Sequence, residues 1–257
     1  MSTNKNILKE NKKLYELLDA LKLNAVPDNI DKVVELATKH QWDYLHFLEQ
    51  LCEVEVTQRE ERSTQRRLRA ARFPVVKTMD NFDWNWPKKI NRLQIQNLFR
   101  LSFIEQKANI IVLGGVGLGK THISTALAYQ ACLKGFNVLH ASAIDIINTL
   151  SAAATAGRLK QELKRFTKPD ILLMDELGYL PIDKMGADLL FQVISQRYEV
   201  GPIILTTNKP FKKWAEIFNN DSTLTSAVLD RLLHHAETVV IEGKSYRMKD
   251  QCVEPLL

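Results

Sequence analysis

Cysteine is scarce in this chain of 257 residues: Cys52, Cys132 and Cys252 are odd in number, far apart and without metal-like spacing. That argues against a disulfide framework or a zinc site and suits a reducing compartment. No run reaches the ~18 to 20 consecutive apolar residues that span a bilayer. The N-terminal "MSTNKNILKENKK" lacks the apolar core of a secretion signal, so a cytoplasmic protein with no membrane partner is expected. Repeats of fixed period and low-complexity tracts are missing. So are the helix-turn-helix and zinc-finger patterns that present side chains to base edges, which argues against sequence-specific DNA readout. Charge is nearly balanced, 35 Lys and Arg against 30 Asp and Glu, so the net +5 permits a polyanionic partner without demanding one. Glycine is sparse too, yet four of the ten fall within residues 114–119.

With 45% hydrophobic residues, the chain can bury one substantial α/β domain and a smaller appendage. Residues 5–56 read as helices. Leu14, Leu17, Leu18 and Leu21 repeat at helical spacing, as do Ile30, Val33, Val34 and Ala37 after a break at Pro27 and Asp28. A third set, Leu45, Leu48, Leu51 and Cys52, completes the pattern of a small helical bundle. Residues 57–72 carry six arginines against two glutamates, compatible with a solvated helix face or with phosphate contact. The aperiodic "FPVVKTMDNFDWNWP" that follows reads as a connector. Beyond it the texture changes. The short apolar runs "NIIVL", "FNVLHA", "DILLMDE", "PIILTTN" and "TVVIEG" alternate with helical stretches, which predicts a five-stranded parallel sheet flanked by helices.

The clustered glycines follow the first of these runs. Gly114, four residues, then Gly119, Lys120 and Thr121 match the phosphate-binding loop spacing in full. Glycines let backbone N–H groups close around phosphate oxygens, so Gly114, Gly115, Val116, Gly117, Leu118, Gly119, Lys120, Thr121 and His122 are the expected nucleotide-binding residues. Lys120 would neutralise β and γ phosphates, and the Thr121 hydroxyl would ligate magnesium (Mg2+). In "ILLMDE" a buried strand would deliver Asp175 to the magnesium water shell and Glu176 to the attacking water. Asn208 ends the "PIILTT" strand, where it could touch that water, the γ-phosphate or only its own turn. Arg231, on a helix between the fourth and fifth strands, could be a surface residue or an arginine finger acting on a neighbouring subunit's nucleotide. His234 and His235 lack the spacing of a helical metal pair and read as structural or surface residues. Arg158, Lys160, Lys164, Arg165 and Lys168 face one acid, Glu162, compatible with a plain surface helix or a stripe against nucleic-acid backbone.

Taken together, "RAARFPVVKTMDNFDW", "GGVGLGKTHIS", "DELGYLPIDKMGADLLFQVISQRYE", "ILTTNKPFKKWAEIF", "LDRLLHHA" and "EGKSYRMK" resemble the AAA+ ATPases, and more narrowly the IstB-type transposition helper proteins, relatives of the DnaC-type helicase loaders. The resemblance implies an ATP-hydrolysing protein that oligomerises on double-stranded DNA with ATP at subunit interfaces and stimulates a partner transposase. It also implies that Arg231 is the arginine finger and Asn208 a sensor, acting with catalytic Lys120 and Glu176. The expected organisation is a helical N-terminal domain over residues 1–72, a connector over 73–90 and an ATPase domain over 91–257. Too few residues follow the fifth strand for a C-terminal lid domain, leaving Arg247 as a weak replacement for a second sensor. The alternative is a DnaC-type helicase loader. A P-loop kinase of small metabolites would show an arginine-rich lid, for which no segment is evident, and a scaffold without turnover would not need Glu176.

Overall fold

A computed structural model describes residues 11–251, with the side chains of residues 249–251 excepted; Cys252 and residues 5–10 of the expected helical region lie outside the described part. The chain divides into two compact units, Met1–Arg66 and Arg67–Leu257. The boundary falls earlier than residue 72, within the third helix, because Leu68 and Ala71 near its end pack into an apolar core of the second unit.

The first unit contains α1 (Lys12–Ala20), α2 (Val26–His40) and the start of α3 (Tyr44–Ala71). Pro27 sits in the first turn of α2, where its missing N–H costs nothing, so the helix begins at the proline instead of after it. Gln41 ends α2 in the left-handed conformation, and Asp43 Oδ1 accepts from the His46 amide at 2.7 Å to open α3. Leu18, Val26 and Ile30 form the core, with Leu14, Leu23, Val34 and Leu51 against it. The third apolar set departs from expectation: Leu45, Leu48 and Cys52 are exposed. A periodic stripe needs a facing stripe to bury it, and only Leu51 of that set meets one.

The second unit adds α4 (Arg92–Leu98), α5 (Ser102–Glu105), β1 (Asn109–Gly114), α6 (Lys120–Leu133), β2 (Val138–Ser142), α7 (Ala143–Thr155), α8 (Leu159–Thr167), β3 (Ile171–Leu177), α9 (Lys184–Arg197), β4 (Ile203–Thr207), α10 (Ser222–Leu233) and β5 (Ala236–Ile241). The five strands pair in parallel in the order β2-β3-β4-β1-β5. Two apolar cores cover the sheet. Alternation decides which residue joins which: Ile110 and Val112 belong to the core shared with α6, and Ile111 to the one shared with α7 and α9. Because β4 lies between β1 and β3, the carboxyl ends of all three open onto one place. That is where parallel α/β sheets bind ligands.

Candidate nucleotide site

Loop 115–119 leaves β1 at Gly114 and enters α6 at Lys120. Gly117 and Gly119 take φ of 71° and 86°, a conformation that turns successive amides inward at low cost only for glycine. Lys120 is buried and folds back over the loop, its Nζ donating to Gly115 O at 2.8 Å. Burial holds its ammonium below the ordinary lysine value; Asp175 opposes that shift and Arg247 adds to it. A desolvated cation at the opening of a ring of amides is suited to a polyphosphate.

The carboxylates arrive on β3. Asp175 is buried, and its Oδ1 accepts from Thr121 Oγ1 at 3.1 Å and from Thr206 Oγ1. Burial pushes the Asp175 carboxyl upward, but His140, Thr206 and Thr121 outweigh it and hold the group below the usual carboxylate range. His140 Nε2 stands 3.9 Å from the carboxylate, beyond hydrogen-bond reach. The next residue breaks the strand pattern. Glu176 has φ of 61°, at a register shift between β3 and β4, and its amide donates to Thr206 Oγ1 at 2.9 Å. This bulge leaves Glu176 exposed in an otherwise buried strand and aims it into the cavity beside Lys120. A non-glycine residue held left-handed at a bulge carries strain, which persists only where its surroundings fix it. The Thr206 hydroxyl does so here, bridging both acids. The sequence reading missed this threonine, although its place at the end of an apolar run was the available signal.

Asp175 lies behind Thr121 and Thr206, and Lys120, Glu176 and Thr206 line a cavity of about 310 Å³ with Gly117, Gly119, Thr121 and His122. Its opposite wall comes from the segment read as a connector: Lys77, Asn81, Phe82, Asp83, Trp86 and Pro87. The segment does more than connect, since hydrogen bonds and ring contacts made by Thr78, Phe82, Trp86 and Lys89 tie it down. His122 does not face the cradle alone; its Nε2 is 2.7 Å from Thr78 O and its ring meets Phe82. The hydroxyl of Thr121 and the carboxylate of Asp175 are hard oxygen donors placed together beside the cradle, a donor set suited to magnesium.

Other expected residues lie elsewhere. Asn208 follows β4 but is not in the cavity wall, and its Oδ1 is buried without a hydrogen-bond partner. Arg231 stands at the far end of the sheet. It shares a small cleft with Asn109 and Ile203, the first residues of β1 and β4, while its Nη1 donates to Ala227 O at 3.0 Å and its guanidinium lies 4.9 Å over the Phe191 ring. On α8, Leu163 and Phe166 are buried while Arg158, Lys160, Lys164 and Arg165 are exposed, so the outer face of the helix is basic. His234 and His235 are exposed, with one ligand atom of each within 4.8 Å of Glu199 and of each other. Among the described residues no helix is long and apolar enough to cross a membrane.

A five-stranded parallel sheet with a glycine-rich loop entering a buried lysine, and paired acids on the third strand, defines a P-loop nucleotide-binding protein of the AAA+ class. Solved structures agree with that fold. The DnaC helicase loader superposes with a TM-score of 0.53 at 22% identity, over 64% of this chain and 96% of that one. DnaA from Aquifex aeolicus, bound to AMPPCP, gives 0.54 at 24%, over 67% of this chain and about half of that one, 52%. The family described as IstB-like ATP binding protein matches residues 16–253, and the chain belongs to it. An ATP-binding protein of insertion sequence IS5376 in Geobacillus stearothermophilus is 38% identical over 93% of this chain and 95% of its own length. One of insertion sequence IS21 in Pseudomonas aeruginosa is 39% identical over 93% and 89%.

Proposed function

We propose that this protein is an ATP-hydrolysing regulator of transposition, which assembles on double-stranded DNA and recruits or stimulates the transposase of its insertion sequence. The identity to insertion-sequence proteins along nearly the whole chain favours this over a helicase loader, since the likeness to DnaC is one of fold. Lys120 offsets the phosphate charge, and Thr121 with Asp175 would hold magnesium, whose charge when bound stabilises the β- and γ-phosphate oxygens. Glu176 accepts a proton from the water that attacks the γ-phosphorus as its bond to the bridging oxygen breaks, giving ADP and phosphate. Asn208, which follows β4 outside the cavity wall, is assigned as a sensor, its buried Oδ1 left with a hydrogen bond to make. The basic face of α8 would follow DNA phosphates with an affinity that falls as salt rises.

One observation carries the assembly: Arg231 is at the amino ends of the strands, and the cradle is at their carboxyl ends. The six residues of β1 separate those ends by roughly 17 Å, farther than an arginine side chain reaches. A finger at Arg231 must therefore serve a neighbour. Lys120→Ala and Arg231→Ala are each expected to be inactive, and mixing them should partly restore turnover, because some interfaces pair an intact loop with an intact arginine. Mixtures that assemble on DNA yet stay inactive at every ratio would overturn the intersubunit site.

A further inference from the structure

Phosphate binding does not explain the half of the cavity beyond the loop. Two segments distant in sequence build it. After β5, Glu242 exchanges both backbone hydrogen bonds with Lys89, each 3.0 Å. Trp86 Nε1 donates to Lys244 O at 2.9 Å, and the rings of Trp86 and Tyr246 meet edge to face at 5.4 Å. The Tyr246 amide then donates to Gly117 O at 2.8 Å, fastening the C-terminal segment to the phosphate loop itself. From the other side Phe82 covers Gly119 so closely that a Cβ there would stand 2.7 Å from Phe82 Cε2. A Cβ on Gly117 would collide with Ser245. Both glycines are therefore constrained twice, by their positive φ and by what packs on them.

The chemistry changes along the cavity. At one end stand Lys120, Thr121, Glu176 and Thr206; the loop adds the apolar Leu118, and the clasp contributes Phe82, Trp86, Pro87 and Tyr246. The polar edge of Trp86 is already bonded to Lys244 O, so an incoming group meets ring surface, which suits an aromatic base. Arg247 lines the same cavity as Lys120, so a second cation faces the space that the phosphates would enter.

We propose that residues 82–89 and 242–247 form a clasp for the nucleoside end of the nucleotide, with Trp86 and Tyr246 against the base and Arg247 on the phosphates of its own chain. The proposal rests on reading the loop as a phosphate site. It makes the segment after β5 a part of the binding site that responds to nucleotide through the Tyr246–Gly117 bond.

Comparing ATP with inorganic tripolyphosphate, which has the phosphates and no nucleoside, separates the two halves. Calorimetry on the full chain with magnesium should show Tyr246→Ala weakening ATP by ~10-fold, while tripolyphosphate changes less than about twofold. Tyr246→Phe should restore ATP, and Arg247→Gln should weaken both ligands. Tyr246→Leu, which keeps apolar bulk, should repeat the split and guards against a folding defect in the alanine variant. Equal weakening of both ligands by the Tyr246 variants, or no change in either, would overturn the clasp. The phosphate reading has its own control: if Lys120→Ala binds tripolyphosphate as well as wild type, that reading fails and not the clasp alone.

Discussion

In each unit a long charged side chain is buried against backbone groups at a helix end, and the two carry opposite charge. In the nucleotide-binding unit Arg197 is 2% exposed, and its guanidinium donates to five backbone carbonyls: Phe166, Thr167, Pro169, Asp170 and Pro202, at 2.9 to 3.2 Å. Phe166 and Thr167 end α8, so a cation meets carbonyls left over at a helix C-terminus. In the helical unit Glu55 is 4% exposed and accepts from the Ala25 amide at 2.7 Å, at the N-terminus of α2. Arg59, one turn along α3, holds the same carboxylate at 2.7 Å and donates to Lys22 O. The cation therefore stitches one connection into a closed α/β core, whereas the anion ties the α1–α2 turn to α3 where the apolar core is small. Buried charge serves the backbone in both cases, but the number of bonds differs.

That difference sets the largest expected effect. Arg197→Met would take the guanidinium from five carbonyls, of which Pro202 O still accepts from the Leu172 amide; with about 1–3 kcal/mol for each buried acceptor left unsatisfied, the loss should exceed about 3 kcal/mol. Arg197→Lys should recover only part of the loss, because an ammonium has three donors and no planar fork. Hydrogen exchange read by mass spectrometry should show protection falling around residues 159–204 first. If Arg197→Met matches wild type in stability and exchange, the guanidinium is an incidental filler and the comparison collapses.

Arg197 also marks the limit of what the sequence shows. The strands were legible because buried parallel strands are runs of apolar residues, and the phosphate loop because its spacing is fixed by the length of the turn around a phosphate. Asp175 and Glu176 followed from their place at the end of such a run. Arg197 was not legible: its partners are carbonyls, which every residue carries. The clasp stayed hidden for a related reason, since Trp86 meets Lys244 and Tyr246 across more than 150 residues without any periodic pattern. Leu45 and Leu48 erred the other way. Periodicity names a face, but only a facing surface makes that face a core.

A smaller effect is expected in the helical unit. Glu55→Gln keeps an oxygen for the Ala25 amide but loses the charge that attracts Arg59 and the α2 N-terminus, a change of about 1 kcal/mol. Exchange should quicken near residues 22–30 and stay unchanged around α8. Equal quickening in both regions would mean that the two stitches are not independent.

The smallest and most diagnostic effect is on pH. Burial pushes the Glu55 carboxyl upward, yet the Ala25 amide, Arg59 and the Val26 amide outweigh it and leave the group below the ordinary glutamate value. On acidification the unfolded chain therefore takes up this proton first. The contribution of Glu55 is complete above about pH 4.3, the ordinary glutamate value, and is lost as pH falls through the lower native value. Arg197 remains charged throughout that range, so its five bonds give the nucleotide-binding unit no matching acid sensitivity. Many other carboxylates titrate between pH 3 and 6, which makes the difference between wild type and Glu55→Gln the useful quantity. Stability of the helical unit, followed by exchange at residues 22–30, should fall more steeply with acid in wild type than in the variant, and the two should converge at the acid end. Parallel curves would show that the Glu55 carboxylate has no protected charge to lose, leaving the opposite-charge comparison standing on Arg197 alone.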